Sequence, residues 1–421
     1  MASHSDLIND DSLMTQVRTS DKTNSVSSKV IRCVYDGQRA VAVGDDAESR
    51  TQIAALLDLL DLHLTGGGQH QGVDVASDSV TLLLGGRPKG QMEALDAVHT
   101  LVSILQAAPG APRVRVLEHD AERGWVKPAA TGWNIGDDAY YSRWPDLLKG
   151  VADDPPPLVA KIVELVDDEA LRAYPMLTRR GHWSLRLEGL EVGKLSTRRG
   201  TLGVGKDSGA GAQSLPRRTW IAAQRGRTEL LEVVDTVDSI AESAAAVRAF
   251  RDVWLRADVG PALGGKQDEH ALESRILRGV VPIEVADNQL QLLRKSDTVN
   301  WGSQFPTMWG REGRARYLDG LLRDGSTPWA LEMKVNGGGG VGRYYRHAIA
   351  QAVLYREFIR QASPLHFWFE QQDLDATGCQ AAVVIPEFST ASDRWRPRLQ
   401  ALSDLFGVAL VEVDNEYAAL R

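Results

Sequence analysis

The sequence predicts an α/β protein of two or three domains, and three features indicate it. Short apolar runs such as Val30–Tyr35 have the length and β-branched content of strands. Longer segments such as residues 49–64 place apolar residues at helical spacing. The chain of 421 residues is 43% hydrophobic and 25% charged, a globular composition with enough material for several cores.

Composition also excludes some classes of protein. No apolar run approaches the roughly 20 residues that span a bilayer, and the polar N-terminus does not have the pattern of a signal peptide. Two cysteines, Cys33 and Cys379, are too few for a disulfide framework or a cysteine zinc site. The net charge of -8 argues against indiscriminate coating of nucleic acid but allows a local basic surface. We therefore expect a cytoplasmic protein that does not contact membranes.

The front of the chain predicts a tail followed by an accessory domain. Residues 1–28 are rich in Ser, Asp, Asn and Thr, which predicts a disordered tail. Residues 29–136 alternate strand-like and helix-like segments and predict an N-terminal α/β accessory domain, so that the region before the C-terminal domain is α+β as a whole.

The middle of the chain predicts a linker and a basic sheet. Residues 137–227 begin with Asp and Pro and continue as short alternating strands. Arginines surround these strands, and the functional interpretation is a face that contacts phosphate through Arg198, Arg199, Arg217 and Arg218. A solvated, arginine-rich β-surface explains the same pattern. Residues 228–266 predict a connecting helix followed by a glycine-containing break.

A β-hairpin is predicted around the turn at Gly325-Ser326, because an apolar run lies on each side of it. If the hairpin is symmetric about this turn, Asp319 lies opposite Glu332, with Cβ atoms about 4.5–5.5 Å apart. Lys334 then shares that face, and Met333 points to the other. Two carboxylates this close repel each other unless a divalent cation lies between them, and oxygen ligands suit Mg²⁺ or Mn²⁺.

These residues resemble the PD-(D/E)XK nuclease superfamily, in which an acidic residue on one strand precedes Glu-x-Lys on the next. Asp319 and Glu332-Met333-Lys334 match that signature, and Gln351 with Tyr355 is similar to the Gln-x-x-x-Tyr motif of the RecB-like branch. One departure is that Gly320, rather than Pro, neighbours the aspartate.

The resemblance implies a C-terminal restriction-endonuclease-like core over residues 267–421, a mixed central sheet flanked by helices. It implies Mg²⁺ (or Mn²⁺) held by Asp319 and Glu332, and by a glutamate on the preceding helix, for which we choose Glu273. It also implies that Lys334 helps to activate or position water, and that Gln351 and Tyr355 support the site. The partner would be DNA, cut by an endonuclease that acts in restriction or phage defence. We further expect a homo-oligomer, a dimer or higher.

A polar stripe follows the glycine run, because Arg343, His347, Gln351 and Tyr355 recur every four residues. Arg343 and the adjacent Arg346 are therefore candidate DNA contacts. Gln304 precedes the hairpin, in a strand or loop at the expected cleft, and is a further candidate contact, although it could equally cap a turn.

Two other functions stay open. Gly337, Gly339 and Gly342 fit a dinucleotide-binding loop between a strand and a helix, which would indicate a nucleotide-binding enzyme. The chain could also be a non-catalytic DNA-binding or scaffold protein.

Overall fold

The computed structural model describes residues 2–8, 10, 13, 17–18, 30–47, 49–70, 73–86, 92–128, 155–176, 181–187, 190–204, 230–232, 236–254, 266–293, 306–307, 316–335, 341–390 and 392–414. They form a mixed α/β protein, as the sequence predicts, with three units that are each built on their own sheet.

The N-terminal unit is a sheet in the order β1-β2-β3-β6-β7-β8, in which β3, β6 and β7 run parallel. Every residue of β6 is buried, which is typical of a central parallel strand covered on both faces. The elements are α1 His4–Ile8, β1 Val17–Arg18, β2 Val30–Tyr35, β3 Gln38–Val43, α2 Ser49–Thr65, β4 Gln69–His70, β5 Val73–Asp74, β6 Ser79–Leu84, α3 Met92–Ala107, β7 Arg113–Asp120 and β8 Gly124–Val126.

The two faces of this sheet are covered differently. Helices α2 and α3 pack on one face through side chains such as Leu56 and Leu101. The other face is covered by the start of the chain, where Leu7 and Leu13 are buried against Ile31 and Leu83. The prediction of a disordered tail is therefore wrong for these residues, because a few apolar side chains in a polar segment are enough to cover the sheet.

The middle unit is an antiparallel sheet in the order β13-β12-β11-β10-β9, with helices α4 and α5 packed together beside it. Its fifth strand begins at Leu230, inside the segment predicted as a connecting helix, so that helix is wrong at its start and begins only at Val237. The elements are α4 Pro157–Val166, β9 Leu171–Pro175, β10 His182–Leu187, β11 Leu190–Ser196, β12 Thr201–Val204, β13 Leu230–Glu232 and α5 Val237–Trp254.

The C-terminal unit is a mixed sheet in the order β16-β19-β20-β21-β22. Strands β19 and β20 form an antiparallel hairpin, whereas β20, β21 and β22 are parallel and connected through helices. The elements are α6 Lys266–Leu277, β14 Glu284–Val285, β15 Asn288–Gln289, β16 Gln291–Leu292, β17 Pro306–Thr307, β18 Arg316–Tyr317, β19 Gly320–Asp324, β20 Thr327–Met333, α7 Val341–Gln361, α8 His366–Glu370, β21 Gln380–Pro386, α9 Arg396–Phe406 and β22 Ala409–Val413.

Helices cover both faces of this sheet. Alternate residues of β20 point to opposite sides, so that Ala330 joins the core formed with α7 and α9, while Leu331 and Met333 join a second core formed with α6. The main core continues into the N-terminal unit, because α2 and α3 pack against α7, and α2 also packs against α9. Among the described residues, no helix has both the length and the apolar character that crossing a bilayer requires.

Candidate functional site

The hairpin of β19 and β20 has the register that the sequence predicts. Gly320 pairs with Leu331 and Asp324 pairs with Thr327, so the ladder is symmetric about the turn at Gly325-Ser326. Gly325 has a φ of 56°, a left-handed conformation that glycine adopts without strain. One step beyond the ladder, Asp319 lies opposite Glu332, and its Oδ2 accepts a hydrogen bond of 2.8 Å from the backbone N–H of Met333. The turn thus determines which carboxylates meet.

Lys334 lies at the centre of what we call the carboxylate cluster, formed by Asp319, Glu332 and Glu269. Its Nζ is 2.6 Å from Glu332 Oε1 and 3.7 Å from Asp319 Oδ2. It also donates a hydrogen bond of 3.0 Å to Glu269 Oε1 and one of 2.8 Å to the carbonyl oxygen of Met333. One ammonium is therefore shared among three carboxylates.

Burial and neighbouring charges shift the pKa values of Asp319, Glu332 and Lys334. Burial, followed by the charge of Glu332, raises the pKa of Asp319 well above its ordinary value. Burial also raises the pKa of Glu332, although Lys334 works in the opposite direction. For Lys334, burial disfavours the charged form, but the carboxylates outweigh it and its pKa is raised. Glu332 is 1% exposed, and its Oε2 has no hydrogen-bond partner among the described residues. A buried carboxylate oxygen in this state is suited to bind a cation.

Helix α7 brings Tyr355 and Gln351 to the cluster, as the polar stripe predicts. The Tyr355 hydroxyl forms a hydrogen bond with Glu332 that lowers the pKa of that carboxyl, and Gln351 forms a hydrogen bond with Tyr355. Burial, then the charges of Glu332 and Asp319, raise the pKa of Tyr355 well above its ordinary value. Its hydroxyl therefore stays protonated and remains a donor to Glu332.

The two glutamates of α6 have different positions. Glu269, which the sequence pattern did not distinguish from Glu273, reaches Lys334, whereas Glu273 lies 3.9 Å from Nη1 of Arg186 on β10. Glu273 is still close enough to the cluster for its charge to raise the pKa of Asp319. The spacing of the two residues places both on one face of the helix, but spacing alone cannot show which one reaches the lysine.

The predicted DNA contacts have different outcomes. Arg346 is 4% exposed, and its Nη1 bonds to Asp58 and Asp61 of α2, so its prediction as a DNA contact is wrong. Arg198 and Arg199 are exposed in the turn after β11, beside His182 and therefore at the opposite end of β10 from Arg186. Several predicted features lie outside the described residues: Gln304, Arg217, Arg218, the side chain of Arg343, and the glycine loop at Gly337 and Gly339.

Asp319 and Glu332 could together supply two carboxylate ligands to Mg²⁺ or Mn²⁺. Within the described part of the chain, no three His, Cys, Asp or Glu side chains form a group that could hold a metal ion by themselves. Mg²⁺ is commonly bound by one or two carboxylates, with water and substrate phosphate completing the shell. Asp319 and Glu332 meet that smaller requirement. They lie opposite each other, and Oε2 of Glu332 has no hydrogen-bond partner among the described residues.

Comparisons of the chain with protein-family models, with curated proteins and with solved structures give no match.

Proposed function

We propose that this protein is a metal-dependent nuclease that hydrolyses phosphodiester bonds in DNA, with a catalytic domain of the PD-(D/E)XK type. The observation that carries the proposal is the hairpin register, which sets Asp319 opposite Glu332 and brings Lys334 against both carboxylates. This is the arrangement that the family signature implies. A role in restriction or phage defence belongs to the proposal through the family resemblance alone.

The order of elements supports the same assignment. Helix α6 precedes the β19/β20 hairpin, α7 leads to the parallel strand β21, and α9 leads to β22. The resemblance implies this succession of helix, hairpin, helix and strand for a restriction-endonuclease-like core. The carboxylates stand at the end of the hairpin where β20 gives way to the segment before α7, so Asp319, Glu332 and Lys334 meet at one end of the sheet.

Asp319 and Glu332 are the residues that would hold Mg²⁺. Bound there, the ion would lower the pKa of its water and neutralise charge that develops on the phosphate. Tyr355 holds the Glu332 carboxylate in place, and Gln351 holds Tyr355. Lys334 places a buried ammonium beside both carboxylates, where its charge can stabilise charge that develops on the phosphate or orient the attacking water.

The reaction is a hydrolysis and needs no redox partner. The oxygen of water forms a bond to phosphorus, and the bond between phosphorus and the leaving strand oxygen breaks. One proton leaves the attacking water, and the leaving oxygen takes up a proton, so that one new end carries the phosphate and the other carries a hydroxyl.

The test is an assay of the purified chain on supercoiled, linear and single-stranded DNA with Mg²⁺, Mn²⁺ or EDTA. We expect cleavage that requires the metal and is lost in Glu332→Gln. Asp324→Asn is the matched control, because Asp324 is an exposed acid at the turn of the same hairpin, and it should cleave normally. DNA binding without cleavage by the wild-type protein, or nucleotide binding without cleavage, would contradict the proposal.

A further inference from the structure

A second cation, from the middle unit, lies beside α6, the helix that also carries Glu269 of the carboxylate cluster. Arg186 stands near the end of β10, and the pairing of β10 with β11 shifts register between Leu185 and Arg186. The Arg186 guanidinium reaches α6 of the C-terminal unit, where its Nη1 is 3.9 Å from Oε1 of Glu273.

The Arg186 side chain is held in place by its own sheet. Its Nε donates a hydrogen bond of 3.3 Å to the Ser184 hydroxyl, and its guanidinium carbon lies 5.6 Å from the centre of the Tyr174 ring. The residue is only 9% exposed. A stacked and buried guanidinium has already lost most of its conformational freedom, so binding a further group requires little additional ordering.

The terminal nitrogens of Arg186 are not used in this arrangement. The distance to Glu273 exceeds that of a hydrogen bond, and neither Nη donates one to any residue that the structure describes. Lys334, in contrast, already contacts all three carboxylates of the cluster. Arg186 therefore has donors available, in the planar geometry that matches phosphate oxygens.

We propose that Arg186 binds a non-bridging oxygen of the DNA phosphate at this site, and that Glu273 is its counter-ion when DNA is absent. The middle sheet thereby supplies part of the active site rather than a separate DNA-binding surface. This inference rests on the proposed nuclease function and adds a substrate-binding residue to it. It also assigns Glu273 to Arg186 rather than to the metal.

The simpler alternative is that the Arg186–Glu273 pair only attaches the middle sheet to α6. Replacing Arg186 by lysine distinguishes attachment of the middle sheet from binding of phosphate. Arg186→Lys keeps a positive charge opposite Glu273, so an attachment role is retained, but it loses the planar fork and the stacking on Tyr174. Arg186→Met removes the charge, and the number of phosphate contacts can then be read from the salt dependence of DNA binding.

The experiment compares Mn²⁺-dependent cleavage, DNA binding in Ca²⁺ across a salt series, and Tm for the full chain. Arg186→Lys should lower kcat by about 10-fold to 100-fold, because one transition-state contact is lost. Its Tm should stay near that of wild type, because the positive charge opposite Glu273 is kept. Arg186→Met should reduce the salt slope of binding by about one phosphate contact. The control is Arg248→Lys. Arg248 lies on α5 and donates a hydrogen bond to the carbonyl oxygen of Leu165 on α4, so its replacement should change neither kcat nor the salt slope of binding.

The possible outcomes separate this inference from the function on which it rests. Normal cleavage by Arg186→Lys together with an unchanged salt slope for Arg186→Met overturns the role of Arg186 but leaves the nuclease proposal intact. Loss of activity that follows loss of Tm in both variants also overturns it, in favour of attachment. If the wild-type protein cleaves no DNA, the nuclease proposal fails, and the salt slope alone then decides whether Arg186 contacts phosphate.

Discussion

Nζ of Lys334 lies 2.6 Å from Oε1 of Glu332, and both residues are almost completely buried. The pair is not isolated, because Asp319 lies opposite Glu332 and brings a second negative charge to the same ammonium. Burial opposes every charge in this group. Buried ionisable groups whose pKa values are shifted by burial and by one another are typical of functional sites.

The first prediction separates the roles of the three residues in metal binding. Asp319→Asn and Glu332→Gln should abolish Mn²⁺ binding in a calorimetric titration and lower cleavage about 100-fold or more, the equivalent of several kcal/mol. Lys334→Ala should stop cleavage but retain Mn²⁺ binding, because an ammonium is not a metal ligand. Normal cleavage by Asp319→Asn and Glu332→Gln would show that these residues do not form the metal site.

The second prediction concerns stability and pH without metal. The folded protein raises the pKa of Asp319 above its ordinary 3.8, so the folded state binds this proton more tightly than the unfolded state does. Ionising Asp319 therefore lowers stability progressively as the pH rises from 3.8 through the folded pKa. Asp319→Asn removes this loss and should be more stable than wild type at neutral pH.

Urea unfolding in EDTA between pH 4 and pH 8 measures this difference. The advantage of Asp319→Asn should be largest at high pH and should disappear as the pH approaches the ordinary value of 3.8. Asp324→Asn, at the exposed turn, should show no such trend. An advantage that is constant with pH would mean that the charge of Asp319 is not what destabilises the protein.

The local parts of the site can be predicted from the sequence. The hairpin register depends on the turn at Gly325 and on two short apolar runs, and these determine that Asp319 meets Glu332. Helical periodicity similarly brings Gln351 and Tyr355 to one side of α7. The separation of Glu332 from Met333 onto opposite faces follows from strand alternation.

The contacts between units could not be predicted in this way. Arg346 lies beside the polar stripe of α7, and its acidic partners Asp58 and Asp61 are 288 and 285 residues away in sequence. Periodicity shows that a helix has a polar side but not which unit will cover it. Arg186 gave no signal for the same reason, because its role depends on the contact between β10 and α6.

The third prediction tests the link from α7 to the cluster. Tyr355→Phe removes only the hydroxyl that bonds to Glu332, so the protein should lose about 1 kcal/mol of stability. The cleavage rate should fall by more than this loss of stability explains, because the Glu332 carboxylate is no longer held in position by the hydroxyl. Gln351→Ala should act in the same direction more weakly, since it reaches Glu332 through Tyr355. Urea unfolding and initial cleavage rates measure the two effects, and losses of equal size would indicate a structural role only.

The final prediction concerns the contact between the N-terminal and C-terminal units. Asp61 is 1% exposed and accepts hydrogen bonds from Arg346 of α7, at 2.8 Å, and from Arg398 at the start of α9. Asp61→Asn would leave two guanidinium groups at this interface without a charge that they share. Removing one member of a buried ion pair costs about 3–5 kcal/mol, because the remaining charge stays desolvated. Because Arg346 keeps its bond to Asp58, we expect Asp61→Asn to lower the free energy of unfolding by an amount near the lower end of this range.

The matched control is Asp78→Asn, because Asp78 forms an ion pair with Arg113 at an exposed position of the N-terminal unit. Solvent already stabilises both of those charges, so its urea midpoint should change little. Asp61→Asn should also lower cleavage, because Arg346 stands on the helix that carries Tyr355, and a shift of α7 moves the hydroxyl away from Glu332. If Asp61→Asn and Asp78→Asn unfold at the same urea concentration, the charge of Asp61 does not hold α7 in place.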